Sequence, residues 1–82
     1  MVKVIFDKKF QITISKIKDS SVQNNVKNKI EKIVENPEVG KPMSYTRKGT
    51  REVYVGSFRL SYKYSKMEDT IEFLEFYHKD KQ

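Results

Sequence analysis

Cations are the commonest of the side chains in this chain that could do chemistry. Arg47, Lys48 and Arg51 crowd into YTRKGTR (Tyr45 to Arg51), where three of seven residues are basic. In FRLSYKYS (Phe58 to Ser65), Phe58, Leu60, Tyr62 and Tyr64 alternate with Arg59, Ser61 and Lys63. Such alternation marks a strand with one buried face, so Arg59 and Lys63 share its polar side. His78, the one histidine, is followed directly by Lys79. There is no cysteine, which excludes thiol chemistry, disulfides and Cys-ligated zinc. The balance of 17 Lys+Arg against 11 Asp+Glu gives a net charge of +6. On so small a chain that favours a polyanionic partner, either nucleic acid or an acidic protein segment.

A short run of elements must position these residues. VKVIF (Val2 to Phe6) is apolar and β-branched and predicts a strand. Asp7 can cap a helix that begins just after it. In KKFQITISKIK (Lys8 to Lys18), Phe10, Ile14 and Ile17 fall at helical spacing while Phe10, Ile12 and Ile14 also alternate; we read a helix. Asp19 or Ser20 caps a second helix, in which Val22, Val26, Ile30 and Ile33 form an i, i+4, i+8, i+11 stripe. Pro37 ends it, because the residue before a proline is pushed out of helical geometry. Gly40, Pro42 and Gly49 punctuate a loop that exposes the basic stretch. Three strands come next: Arg51 to Val55, then Ser57 to Ser65 across a tight Gly56-Ser57 connection, then Thr70 to Tyr77 after SKMED. The last is apolar on both parities, at Ile71, Phe73, Leu74 and Phe76, as a central strand should be. HKDKQ reads as a polar tail.

The order β-α-α-β-β-β predicts an α+β fold, with two N-terminal helices on one face of an antiparallel-dominated four-stranded sheet. Phe58, Leu60 and Tyr62 would be buried under the helices, with Arg59, Ser61 and Lys63 unburied on a partly open opposite face. A length of 82 residues suits a single domain, residues 1–82. No apolar run approaches the ~20 residues that span a bilayer, and no signal-peptide pattern precedes Val2. We expect a cytoplasmic protein without a membrane partner.

The chain resembles the RelE/ParE superfamily of bacterial and archaeal toxins. The resemblance is carried by ENPEVGKPMS (Glu35 to Ser44), GTREVYVGSFRLSYKY (Gly49 to Tyr64) and IEFLEFYHKDKQ (Ile71 to Gln82). The family shows a helix ending in Asn-Pro, a Gly-Lys-Pro-Leu-like loop, and a hairpin ending in Tyr-Arg-hydrophobic-x-Tyr. A last strand then runs into His-Arg or His-Lys. The resemblance implies an antiparallel sheet with two N-terminal helices. It implies a toxin neutralised by a cognate acidic antitoxin, acting as a metal-independent endoribonuclease on mRNA at the ribosome, with no cofactor. ParE-like members share the fold but target DNA gyrase, so a protein-binding relative is the alternative, and a non-catalytic RNA-binding module a third.

Metal-independent RNA cleavage uses the 2′-OH as nucleophile. Something must take its proton, something must stabilise the phosphorane, and something must protonate the leaving 5′-oxygen. By resemblance, Arg59 is the family's characteristic arginine and binds the phosphate, while Lys79 is a second clamp or a proton donor. His78 is a candidate general acid, and Lys48 and Arg51 complete the catalytic set, with lysine as a candidate base. Arg47, Lys63 and Tyr54 are expected to contact RNA. Three departures accompany this set. Tyr54 stands where many RNase members carry a basic residue, no tyrosine comes after the His-Lys pair, and the tail is short.

Overall fold

The computed structural model describes residues 2–43 and 49–81. It contains strand β1 (Lys3–Phe6), helices α1 (Lys8–Ser15) and α2 (Ser20–Glu35), strands β2 (Lys41–Pro42), β3 (Thr50–Val55), β4 (Phe58–Ser65) and β5 (Thr70–His78), and a 3-10 turn, Lys79–Lys81. Both helices begin at an aspartate cap. Asp7 accepts from the Lys9 N–H, and Asp19 accepts from the Ser21 and Val22 N–H groups, which satisfies donors that a helix start leaves orphaned. Helix α1 stops at Ser15, short of the expected Lys18. Lys16 and Ile17 bond back to Thr13 and Ile14 at 3.2 and 3.1 Å, and these i→i−3 bonds tighten and close the last turn.

The five strands lie in the order β1-β5-β4-β3-β2. Strand β1 pairs with β5 in parallel and the remaining pairs are antiparallel. The α+β class therefore holds, with one strand more than the four expected. The addition is β2, which falls in the segment read as a loop. It pairs Lys41 with Glu52 and Pro42 with Arg51; proline lacks an N–H to donate, so such a strand survives only at a sheet edge. Gly56, at φ +59, opens the two-residue β3–β4 turn, as glycine does at the first central position of a II′ hairpin.

Phe10, Val26 and Ile33 of the helices pack on Val55, Leu60, Tyr62, Ile71, Phe73 and Phe76 of the sheet, all nearly inaccessible. Phe73 lies 5.2 and 5.7 Å from the rings of Phe6 and Phe10. Strand β5 is central, as its apolar run predicts, but its two parities are not buried together. Ser61 pairs with Glu75 and Tyr62 with Phe73, so Leu74 is an extra residue. This β-bulge exchanges the faces of β5 at its midpoint. Ile71 and Phe73 face the helices before it, Phe76 and His78 after it. Among the described residues no helix is long and apolar enough to cross a membrane.

Candidate functional site

The sheet face away from the helices is built in rows set by strand register. One row runs Tyr54–Arg59–Tyr77 across β3, β4 and β5. The next runs Lys41–Glu52–Ser61–Glu75. A third runs Thr50–Lys63–Glu72 and continues to Ile5 on β1. Directly opposed side chains on one face stand about 4.5–5.5 Å apart at Cβ, so neighbours in a row are in reach of one another.

Arg59 is the centre of the first row. Its guanidinium carbon sits 3.9 Å from the centroid of the Tyr54 ring, a cation–π contact. Its Nη1 donates to the Phe58 carbonyl at 3.0 Å and more weakly to the Gly56 carbonyl at 3.4 Å. These contacts anchor the group beside Tyr54, and a guanidinium has further N–H donors that an incoming anion can meet. On the far side of Arg59, the Tyr77 hydroxyl donates to the Glu52 carboxylate, linking the first row diagonally to the second. Ser61 lies on this face as expected, but it is 2 % exposed rather than unburied, and among the described residues its hydroxyl has no partner. At the end of the second row, Lys9 of α1 binds Glu75 at 3.0 Å. The face thus alternates cations (Lys41, Arg59, Lys63) with carboxylates (Glu52, Glu72, Glu75).

The predicted site residues divide. Arg59, Lys63 and Tyr54 come together on the open face. Arg51 does not join them: it pairs with Tyr62 on the helix side. There it donates to the Glu38 and Gly40 carbonyls at 3.0 and 2.8 Å, with the Glu38 carboxylate at 4.0 Å. The Tyr62 hydroxyl completes this knot, donating to the Pro37 carbonyl at 2.8 Å and accepting from the Gly40 N–H at 2.9 Å. Burial pushes the Tyr62 phenol above the ordinary tyrosine range, with the Gly40 hydrogen bond and the Arg51 charge pulling the other way.

His78 also faces the helix side, paired with Phe58, its ring edge-on to that phenyl at 5.4 Å. The Asp80 N–H donates to His78 Nδ1 at 3.2 Å, with the Asp80 carboxylate 3.5 Å from the same nitrogen; a neutral ring accepting there carries its proton on Nε2. Lys79 is exposed just beyond, its backbone N–H on the Ser57 carbonyl at 2.9 Å, next to the turn that holds Arg59. Arg47 and Lys48 lie outside the described residues. The ends of their segment are joined where the Met43 N–H meets the Thr50 carbonyl at 3.0 Å.

Sequence reasoning missed Glu52 and Tyr77. Glu52 was open to detection, since it shares the parity of Tyr54 in REVYV, and Tyr54 is opposite Arg59 across the hairpin. Tyr77 was not, because its face depends on the bulge at Leu74. Together, Arg59, Tyr77 and Glu52 offer a fixed positive charge, a hydroxyl and a carboxylate on the sheet face opposite the helices. That set can bind an anion and move a proton.

A family model described as ParE toxin of type II toxin-antitoxin system, parDE, matches residues 4–82. No curated protein matches the chain. Among solved structures, the RelBE2 toxin-antitoxin complex from Mycobacterium tuberculosis is similar at 23% identity and TM-score 0.80, covering 94% of this chain and 96% of that one. The YoeB/ParE toxin from Agrobacterium tumefaciens is similar at 13% identity and TM-score 0.84, covering 94% and 98%. The archaeal RelE–RelB complex from Pyrococcus horikoshii OT3 is similar at 11% identity and TM-score 0.74, covering 99% and 98%. At such identities these likenesses concern the fold, the two helices laid on one face of the sheet. With the family match running over nearly its whole length, the chain belongs to the ParE toxin family of type II toxin-antitoxin systems, within the RelE/ParE superfamily.

Proposed function

We propose that this toxin acts as an endoribonuclease that cleaves mRNA at the ribosome by attack of a 2′-hydroxyl on the adjacent phosphate. The observation that carries the reading is Arg59, held against Tyr54 at 3.9 Å on the uncovered face of the sheet. A fixed guanidinium suits the charge that develops on the phosphorane oxygens. The 2′-oxygen forms a bond to phosphorus as the bond to the 5′-oxygen breaks. In this reading Glu52 takes the 2′ proton, and a lysine, Lys79 or Lys48, returns one to the leaving oxygen. Lys63 extends the anion surface, and Arg47 is assigned to RNA contact on its charge alone. Arg51 serves as a positioning residue, tying β3 to the carbonyls of Glu38 and Gly40, and His78 supports the end of β5 against Phe58.

Two of the similar structures are complexes of a toxin with its antitoxin, which supports a cognate antitoxin as the partner of this chain. An acidic antitoxin complements the net charge of +6, and a ribosomal target entails a cytoplasmic site of action. A second reading is a protein target such as DNA gyrase. It is favoured by the description of the matching family and by the carboxylates Glu52, Glu72 and Glu75 that share the face with the cations.

The test is cleavage of a defined mRNA on translating ribosomes, mapped by primer extension, with wild type and Arg59→Ala. Wild type is expected to cut, and the variant to cut roughly 100-fold more slowly or worse. No cutting by wild type, or equal cutting by both, overturns the ribonuclease reading. Inhibition of gyrase supercoiling by the same preparation would establish the second.

A further inference from the structure

Strand β2 leaves the edge of the sheet short. It pairs only with Arg51 and Glu52, so among the described residues no strand covers Val53 to Val55 on that side. What remains is an open hollow of about 470 Å³ lined by Lys29 of α2, Val39, Lys41, Glu52, Val53 and Tyr54. A second hollow of about 260 Å³ runs past Pro42 and Met43 and shares Lys41, Glu52 and Tyr54 with the first. Val39 and Tyr54 are 50 % and 54 % exposed, so two large apolar surfaces stand unshielded at the rim of one depression.

We infer that this hollow holds one unpaired nucleotide of the RNA, its base stacked on the face of Tyr54 that Arg59 does not occupy and its phosphate between Lys29 and Lys41. The inference rests on the RNA reading of the open face and extends that site around the sheet edge. Arg59 reaches Tyr54 from β4, and the hollow lies on the β2 side, so Tyr54 is the wall between them. A tyrosine already bearing a cation on one face offers the other as a stacking platform, and such platforms tolerate any base because every base has a π-face. The volume is within the range of pockets that take small molecules. Of the three charged residues that line it, Glu52 already accepts from the Tyr77 hydroxyl, while Lys29 and Lys41 can both reach a backbone phosphate. An aromatic platform beside two lysines is the pattern of single-strand binding, which favours nucleic acid over a protein segment here.

The experiment is fluorescence anisotropy with single-stranded RNA hexamers, one intact and the others each carrying an abasic residue at one position. At one position, loss of the base is expected to weaken wild-type binding roughly tenfold. Tyr54→Leu should bind all the hexamers alike at that position, while Tyr54→Phe keeps the difference. Lys29→Gln should weaken every hexamer and lower the salt slope by roughly 0.7, the share of one phosphate contact on a single strand. Unchanged thermal unfolding of each variant excludes a folding defect. Equal wild-type binding of intact and abasic hexamers, a base effect that survives Tyr54→Leu, or a salt slope unmoved by Lys29→Gln each overturns the inference. If those results appear while ribosomal cleavage still depends on Arg59, the nucleotide pocket falls and the ribonuclease stands. Wild type that neither binds hexamers nor cuts mRNA removes both, and leaves a protein segment as the occupant.

Discussion

Replacing Tyr62 by phenylalanine removes one oxygen atom from the centre of the fold. Tyr62 is 0 % exposed, and its hydroxyl serves two backbone groups, the Pro37 carbonyl at 2.8 Å and the Gly40 N–H at 2.9 Å. The variant keeps the ring, so the apolar packing changes little. The Gly40 N–H, itself buried, is left without its acceptor, which costs about 1–3 kcal/mol. The Pro37 carbonyl is only half-buried and can turn to water at smaller cost. The expected loss is therefore about 2 kcal/mol at neutral pH. For a chain of this size that lowers Tm by roughly 8–16 °C. The pH dependence has a defined sign. Burial raises the Tyr62 pKa in the folded state, so between the unfolded and folded values the unfolded chain binds fewer protons than the native one. Stability from this group is thus complete below an unfolded tyrosine pKa of about 10 and is lost as pH rises toward the folded value. Urea unfolding of wild type and Tyr62→Phe at about pH 7 and across roughly pH 10–11 should show a gap that narrows at the alkaline end. A gap under about 0.5 kcal/mol at neutral pH, or one that does not change with pH, refutes the reasoning.

Gly40→Ala tests the same knot from the other side. An added Cβ would lie 2.6 Å from the Tyr62 hydroxyl oxygen, 2.8 Å from its ring and 3.0 Å from the Arg51 Cβ. We expect a loss of about 1–3 kcal/mol in urea unfolding, smaller when combined with Tyr62→Phe, because the two changes share a contact. Arg51→Ala and Arg59→Ala should separate stability from activity: the first strips partners from two backbone carbonyls and lowers the unfolding midpoint, while the second loses an exposed cation–π contact worth about 0.5–1 kcal/mol and leaves the midpoint nearly in place while removing cleavage. Equal effects of the two arginines on thermal unfolding would show that they are not divided between scaffold and site.

Much of this division was legible in the sequence. The aspartate caps, the Val22–Val26–Ile30–Ile33 stripe and the alternation of FRLSYKYS each obey rules that hold within a few residues, and each appears where expected. Arg59 and Lys63 were assigned to the open face by parity alone, which a straight strand preserves. What escaped depended on pairing between distant segments. Strand β2 is two residues long and has no pattern of its own; it exists because Lys41 and Pro42 meet Glu52 and Arg51. Ser61 was expected to be wet because it alternates with Leu60 and Tyr62, and its face was right, but its neighbours in the row are Glu52 and Glu75, long side chains that stand over a short one. Arg51 looked like part of a basic patch because it is close in sequence to Arg47 and Lys48. Strand parity turns it the other way, toward carbonyls that only the folded α2–β2 connection supplies.

The bulge at Leu74 shows how a single residue allots chemistry to this surface. In an unbroken β5, Ile71 and Phe73 on the helix face would be followed there by Glu75 and Tyr77, while Phe76 and His78 turned to the open side. A carboxylate would then be driven into the core and a phenylalanine into water. The sequence EFLEFYH avoids this only by absorbing one residue, since its apolar positions are two apart before Leu74 and three apart across it, at Phe73 and Phe76. The shift that keeps Phe76 buried also sends Tyr77 to the open face, where its hydroxyl meets Glu52 beside Arg59. The same shift withdraws His78 against Phe58. The histidine at the end of the sheet is therefore tied to packing, and the side chains that β5 brings beside Arg59 are Tyr77 and, through its hydrogen bond, Glu52. Core hydrophobicity fixes the register of β5, and the register in turn selects which titratable group stands next to Arg59.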